Sequence, residues 1–172
     1  MFMSQTLSLS ETTSRWLLAN GYTPVNLDCQ RENGDTALMK ATRQKELTVV
    51  KELIDRGVNL NLRNDDGNNA LWYAGFGNDY ILLDLLINSG ININNQNDHG
   101  ATVLMYAASA GKEEMVQFLL SYGADTDLKN IDDFKPIDFA STVEVWRILK
   151  NAKNSETRQA ESPANEPLLF RS

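Results

Sequence analysis

The 172-residue chain contains one cysteine and one histidine. Cys29 has no second cysteine to pair with, and together with His99 it makes too small a set for a structural zinc site of the usual Cys/His type. A reducing, cytoplasmic setting is the expectation. No run approaches the ~20 apolar residues that cross a bilayer. The opening MFMSQTLSLS lacks the basic region and the sustained apolar stretch of a secretory signal. These shortages predict neither membrane insertion nor export by that route. Positive charge is also in deficit, with 16 Lys and Arg against 23 Asp and Glu, a formal net charge of -7. From Lys153 onward three bases (Lys153, Arg158, Arg171) balance three acids (Glu156, Glu161, Glu166), so the whole excess lies in residues 1–152. Such a body repels nucleic-acid phosphates and anionic membranes, and steers encounter toward basic partners.

With 42% hydrophobic and 23% charged residues, the chain has the material of one soluble domain with a core. Four segments align: GDTALMKAT from Gly34, GNNALWYAG from Gly67, GATVLMYAA from Gly100 and DFKPIDFAS from Asp133, each 33 residues after the last. A second set follows in register, LTVVKELIDRG, YILLDLLINSG and EEMVQFLLSYG, with Gly57, Gly90 and Gly123 again 33 apart. The first segment of each unit predicts a short helix whose alanines (Ala41, Ala74, Ala107, Ala140) allow close approach of a neighbour. The second predicts an amphipathic helix, with Val50, Leu53 and Ile54 or Val116, Leu119 and Leu120 on one face, closed by its glycine. The Asn- and Asp-rich stretches between units, including Asn94 and Asn95, read as loops. A unit of this kind buries its apolar face only against neighbours, so the units stack into an all-α solenoid.

These residues resemble an ankyrin-repeat protein, of the small stand-alone bacterial type. The family repeat is 33 residues long and opens its first helix with Thr-Pro-Leu-His-x-Ala. Thr36 and Thr102 match the family threonine, Asn69 and Lys135 replace it, and only Pro136 keeps the proline. Met39, Trp72, Met105 and Asp138 stand where the family histidine would be. The resemblance covers about residues 10–151. It divides the chain into a flexible start (1–9), a capping helix and loop (10–30), repeats at 31–63, 64–96 and 97–129, a C-terminal capping repeat (130–152) and a disordered tail (153–172). Ser10 is the expected N-cap of the capping helix, with Trp16, Leu17 and Leu18 facing the first repeat and Gly21 as its stop. The tail holds Pro163, Pro167 and one apolar group, Leu168, Leu169 and Phe170, a candidate docking motif.

No catalytic constellation emerges. Two repeat steps place Cys29 and His99 roughly 16–20 Å apart, beyond the reach of nucleophile activation. The pairs Asp65/Asp66 and Asp132/Asp133 sit in exposed loops unlike a calcium loop. GFGN at 75–78 lacks the preceding strand, third glycine and lysine of a phosphate loop. The expectation is a non-enzymatic protein with no cofactor and no metal, monomeric when free.

The resemblance implies recognition by a concave face of loop tips and first helices. By alignment the tip positions include Glu32 and Asp35; Asp65, Asp66 and Asn68; Asp98 and His99; Asp132 and Phe134. The first helices add Arg43, Trp72 and Phe76, and a helix end adds Tyr122 near the rim. Tyr73 is read as packing between repeats, Phe76 as the exposed aromatic, and Trp72 as standing on the border. An acidic ridge with a central aromatic suits a protein partner with a basic patch. By analogy the chain acts as an immunity protein or inhibitor neutralising a toxin or enzyme. The alternative is an adaptor bridging two partners through the repeat face and the tail.

Overall fold

The computed structural model describes residues 9–160, with 154–160 described by backbone alone. Ser10 opens the first helix, α1 (Glu11–Ala19), its Oγ accepting the Thr13 N–H at 3.2 Å. This satisfies one of the donors that every helix start leaves unpaired. Three helix pairs follow: α2 (Ala37–Arg43) with α3 (Leu47–Asp55), α4 (Ala70–Phe76) with α5 (Tyr80–Asn88), and α6 (Val103–Ser109) with α7 (Glu113–Ser121). The short first helices start at Thr36, Asn69 and Thr102, each accepting from its own first turn. Asn69 therefore does the threonine's work in the second unit. The fourth unit replaces its first helix by a 3-10 turn, Pro136–Phe139, before α8 (Val143–Ala160).

The first helices form one row, α2 on α4 on α6 on the 3-10 turn. The second helices lie behind them, with α1 packed on α3 at one end and α8 on α7 at the other. One continuous core runs between the rows, with Leu17, Leu53, Leu71, Leu86, Leu104, Leu119 and Leu149 buried in succession. Among the described residues there is no strand, only an isolated bridge between Thr23 and Asn26. No helix among them is long and apolar enough to cross a membrane.

The ends depart from expectation in three places. Leu17 is fully buried and Trp16 partly so, but Leu18 is 65% exposed. Successive helix positions lie about 100° apart, and α1 has a neighbour on one side only. Leu9, assigned to the flexible start, packs against the core. Helix α8 continues to Ala160, past residue 153 where the tail was expected to begin. The stretch AKNSETRQA lacks an apolar period but contains Ala, Lys, Glu, Arg and Gln, all strong helix formers that extend an established helix. Residues 1–8 and 161–172, with the motif at Leu168 to Phe170, lie outside the described residues.

Candidate protein-interaction surface

Loop tips are built by asparagines at a fixed repeat position. The Asn64 side-chain oxygen accepts from the N–H groups of Asp66 and Asn68, Asn97 from those of His99 and Ala101, and Asn130 from those of Asp132 and Phe134. Such side chains mimic a backbone turn. The tips then join backbone to backbone: Asp65 N–H donates to Asn33 O, Asp98 N–H to Asp66 O and Ile131 N–H to His99 O, at 3.0, 3.0 and 3.1 Å. Glycine is required beside these joins. Gly34, Gly67 and Gly100 have positive φ, and a Cβ on them would meet the next tip's backbone at 2.8, 2.7 and 2.9 Å. The tip row is thus a continuous ribbon from Glu32 to Phe134.

Along this ribbon Glu32, Asp65, Asp66, Asp98, His99, Asp132 and Phe134 are exposed. Asp98 is paired with Arg63 at 2.9 Å. Asp65 and Asp66 have no ion-pair partner among the described residues, which leaves the centre of the ridge negative. Asn68 is half-buried, its side-chain oxygen enclosed without a hydrogen-bond partner. At the last tip Ile131 and Phe134 are 68% and 50% exposed, so the ridge ends in an apolar group.

Asp35 does not belong to that exposed ridge. Its carboxylate is 4% exposed and receives the Tyr73 hydroxyl at 2.7 Å, the Asn64 amide at 3.2 Å and the Arg43 guanidinium at 3.1 Å. Its backbone oxygen accepts from the Tyr22 hydroxyl. Arg43 also lies over the Tyr73 ring, 5.2 Å from its centre. Burial, followed by hydrogen bonding to Asp35 and its charge, pushes the Tyr73 hydroxyl far above the ordinary tyrosine range; burial and then the Asp35 charge raise Tyr22 as well. Asp35 joins the capping loop, the first repeat and the second, and is a positioning residue.

Trp72 is corrected in the same way: it is buried, at 4% exposure. Its ring supports Phe76 one helical turn later, with centroids 5.5 Å apart, and Phe76 meets Tyr106 of the next repeat edge-on at 4.5 Å. Phe76 remains 49% exposed. Two lysines frame it. Lys45 donates to Gly77 O at 3.0 Å, and Lys112 donates to Gly75 O at 3.2 Å while standing 4.8 Å over the Tyr106 ring. Both neutralise carbonyls at the C-terminal end of α4, where a helix is electronegative. The aromatic group is therefore edged by cations. Phe76 stands about 9 Å along α4 from that helix's first residue, Ala70, six residues on at the helical rise.

Tyr122 lies elsewhere. Its hydroxyl bonds Asp84 and its ring packs on Phe118 at 4.9 Å, both on second helices. The hydrogen bond to Asp84 raises its hydroxyl above the ordinary range. Sequence reasoning missed Lys45 and Lys112, because each contacts a repeat other than its own. It also missed a cleft at the first repeat lined by Arg31 and Lys40. A repeat alignment that compared charge column by column would have marked them as departures.

Two rows of antiparallel helix pairs, stitched at their tips every 33 residues, define a repeat solenoid. The family model described as Ankyrin repeats (3 copies) matches residues 6–97 and 65–130, and the chain belongs to the ankyrin-repeat family. Comparison with curated proteins gives no match. Among solved structures, the chain is similar to the crystal structure of the ankyrin repeat domain of Bcl-3, a member of the IkappaB protein family, at 29% identity with a TM-score of 0.71. The match covers 77% of this chain and 60% of that one, so the chain spans less than two thirds of that solved structure's length. Ankyrin repeats generally mediate protein–protein interaction, and the family is generally non-enzymatic.

Proposed function

We propose that this chain binds a protein partner through its tip and first-helix face, with Phe76 as the anchor. The carrying observation is that Phe76 is held half-exposed on the buried Trp72 and the half-buried Tyr106 at the middle of the array. A rigid aromatic that keeps its apolar face in water suits a partner pocket, since it has little rotational freedom left to lose on binding. The exposed acids Glu32, Asp65, Asp66, Asp98 and Asp132 suit a basic patch on that partner and speed encounter. Asn68, His99 and Phe134 complete the contact row, and Arg43 borders it.

The chain acts by occupying the partner's surface, as an inhibitor or immunity protein does, in a reducing cytoplasmic setting that the single Cys29 favours. Supporting inhibition is the continuous backbone-stitched ribbon, which presents a preformed face. An adaptor role has one specific point in its favour, a second exposed apolar pair on α8, Val143 at 67% and Trp146 at 42%. Titrating the partner with wild-type chain, Phe76→Ala and Val143→Ser/Trp146→Ser separates the readings. Inhibition through the face requires loss with Phe76→Ala and none with the α8 pair. Unchanged affinity of Phe76→Ala sinks the proposed anchor.

A further inference from the structure

An open cleft of about 280 Å³ lies between the capping loop, the first tip and α2. Three cations line it, Arg31, Lys40 and Arg43, in a chain whose formal net charge is -7. Arg31 is exposed and Lys40 half-buried, and neither has an ion-pair partner among the described residues. Arg43 is already oriented: Asp35 holds one nitrogen at 3.1 Å and the Tyr73 ring lies beneath it, while its side chain stays 45% exposed. A guanidinium fixed on one edge keeps other N–H donors for a ligand.

From this geometry we infer that the cleft is a carboxylate site, taking an acidic residue or a chain-terminal carboxylate of the protein partner. The charge balance selects that ligand class. Three cations against Glu32 and Asp35 leave a cleft charge of about +1, which matches one carboxylate and is short for a dianionic phosphate. Arg31 supplies the flat pair of donors that fits a carboxylate, and Lys40 a point charge. The rest of the body is net negative and the lysines beside Phe76 are engaged by helix carbonyls, so attraction for an acidic segment centres on this end. The face therefore changes sign along its length: a basic cleft beside Glu32 at the first repeat, the acids Asp65 and Asp66 at the second tip with the aromatic Phe76 on α4, and Asp132 at the last tip. A dipolar partner is held in one orientation, because reversing it sets like charges against each other at both ends.

This inference deepens the partner-binding reading and rests on it, but its test uses no partner. Amide spectra of the full ¹⁵N-labelled chain are titrated with a blocked glutamate-containing peptide, its glutamine counterpart, an alanine peptide with a free C-terminal carboxylate, and inorganic phosphate. The glutamate peptide, the free-carboxylate peptide, or both should shift the amides of Gly21 and Asn33, and whichever binds more tightly identifies the source of the carboxylate. The Arg31→Ala/Lys40→Ala variant, with its thermal midpoint unchanged, should weaken that binding at least about tenfold, as loss of one charge-assisted bond does. Absence of those shifts, equal shifts with the glutamine peptide, equal affinity in the double variant, or tighter binding of phosphate would each overturn the proposal. Phe76→Ala tested against the partner reports on the broader reading alone, so the two fail separately.

Discussion

Replacing Asp35 by alanine should destabilise the protein much more than removing any acid of the exposed ridge. Its carboxylate is 4% exposed and accepts from Tyr73 and from Asn64, groups carried by the second repeat and the loop before it. A hydrogen bond to an ionised acceptor contributes about 1.5–3 kcal/mol, so the two together reach about 3–6 kcal/mol. The Arg43 pair adds at most about 1 kcal/mol, because its 45% exposure leaves it largely screened. Releasing the buried carboxylate from its own desolvation offsets part of this, which leaves about 3–5 kcal/mol, the usual cost of breaking a buried charged contact. At about 2–4 °C per kcal/mol for a domain of this size, the thermal midpoint should fall by about 6–20 °C. Calorimetry or urea unfolding checks it, with Asp65→Ala and Asp66→Ala as controls expected within about 0.5 kcal/mol of wild type. An Asp35→Ala midpoint no lower than that of the controls would refute the role assigned to Asp35.

Three further outcomes follow from the same packing. Gly75→Ala should destabilise by about 1 kcal/mol in chemical denaturation, because the added Cβ would meet the stiff Val103 Cγ1 at 2.8 Å and the overpacking outweighs the gain in helix propensity; a stabilised variant would contradict this. Burial pushes the Glu52 carboxyl up, but hydrogen bonds from Ser10, at 2.6 Å from its N–H, together with the Arg56 charge hold it below the ordinary range. Its contribution is therefore present above the unfolded value of about 4.3 and lost as pH falls through the folded one; hydrogen-exchange protection of α1 relative to the intrinsic rate should fall there in wild type, and Glu52→Gln should show the lower protection already at pH 7. The raised Tyr73 hydroxyl gives the opposite sign: its stabilisation is complete below about pH 10 and disappears as pH rises further. Tyr73→Phe should be less stable at neutral pH and lose less on alkaline titration, a difference that urea midpoints measure.

The repeat period, the helix pairs and the stops were legible because each rests on a local rule repeated three times. Phe76 was legible for the same reason, since it aligns with the polar Arg43 and Ser109. Asp35 was misread because tip position argues for exposure, while Tyr73 and Asn64, 38 and 29 residues away, close over it together with Arg43. Trp72 occupies the family histidine's place, and its burial depends on Phe76 and on Tyr106 of the next unit. Lys45 and Lys112 were invisible for a related reason: each caps a helix in a neighbouring repeat. Period in a solenoid shows what a repeat does for itself, while charges that cross between repeats appear only when the units are stacked.

The most direct test of the central claim is the affinity of the purified partner, once isolated, for wild type, Phe76→Ala and Ile81→Ser, measured by calorimetry. Ile81 is 66% exposed on α5, on the second-helix side, and controls for loss of any exposed apolar side chain. The expected result is about a thirtyfold loss for Phe76→Ala, about 2 kcal/mol, with Ile81→Ser unchanged. Wild-type affinity in Phe76→Ala together with loss in Ile81→Ser would place recognition on the opposite face and contradict the account.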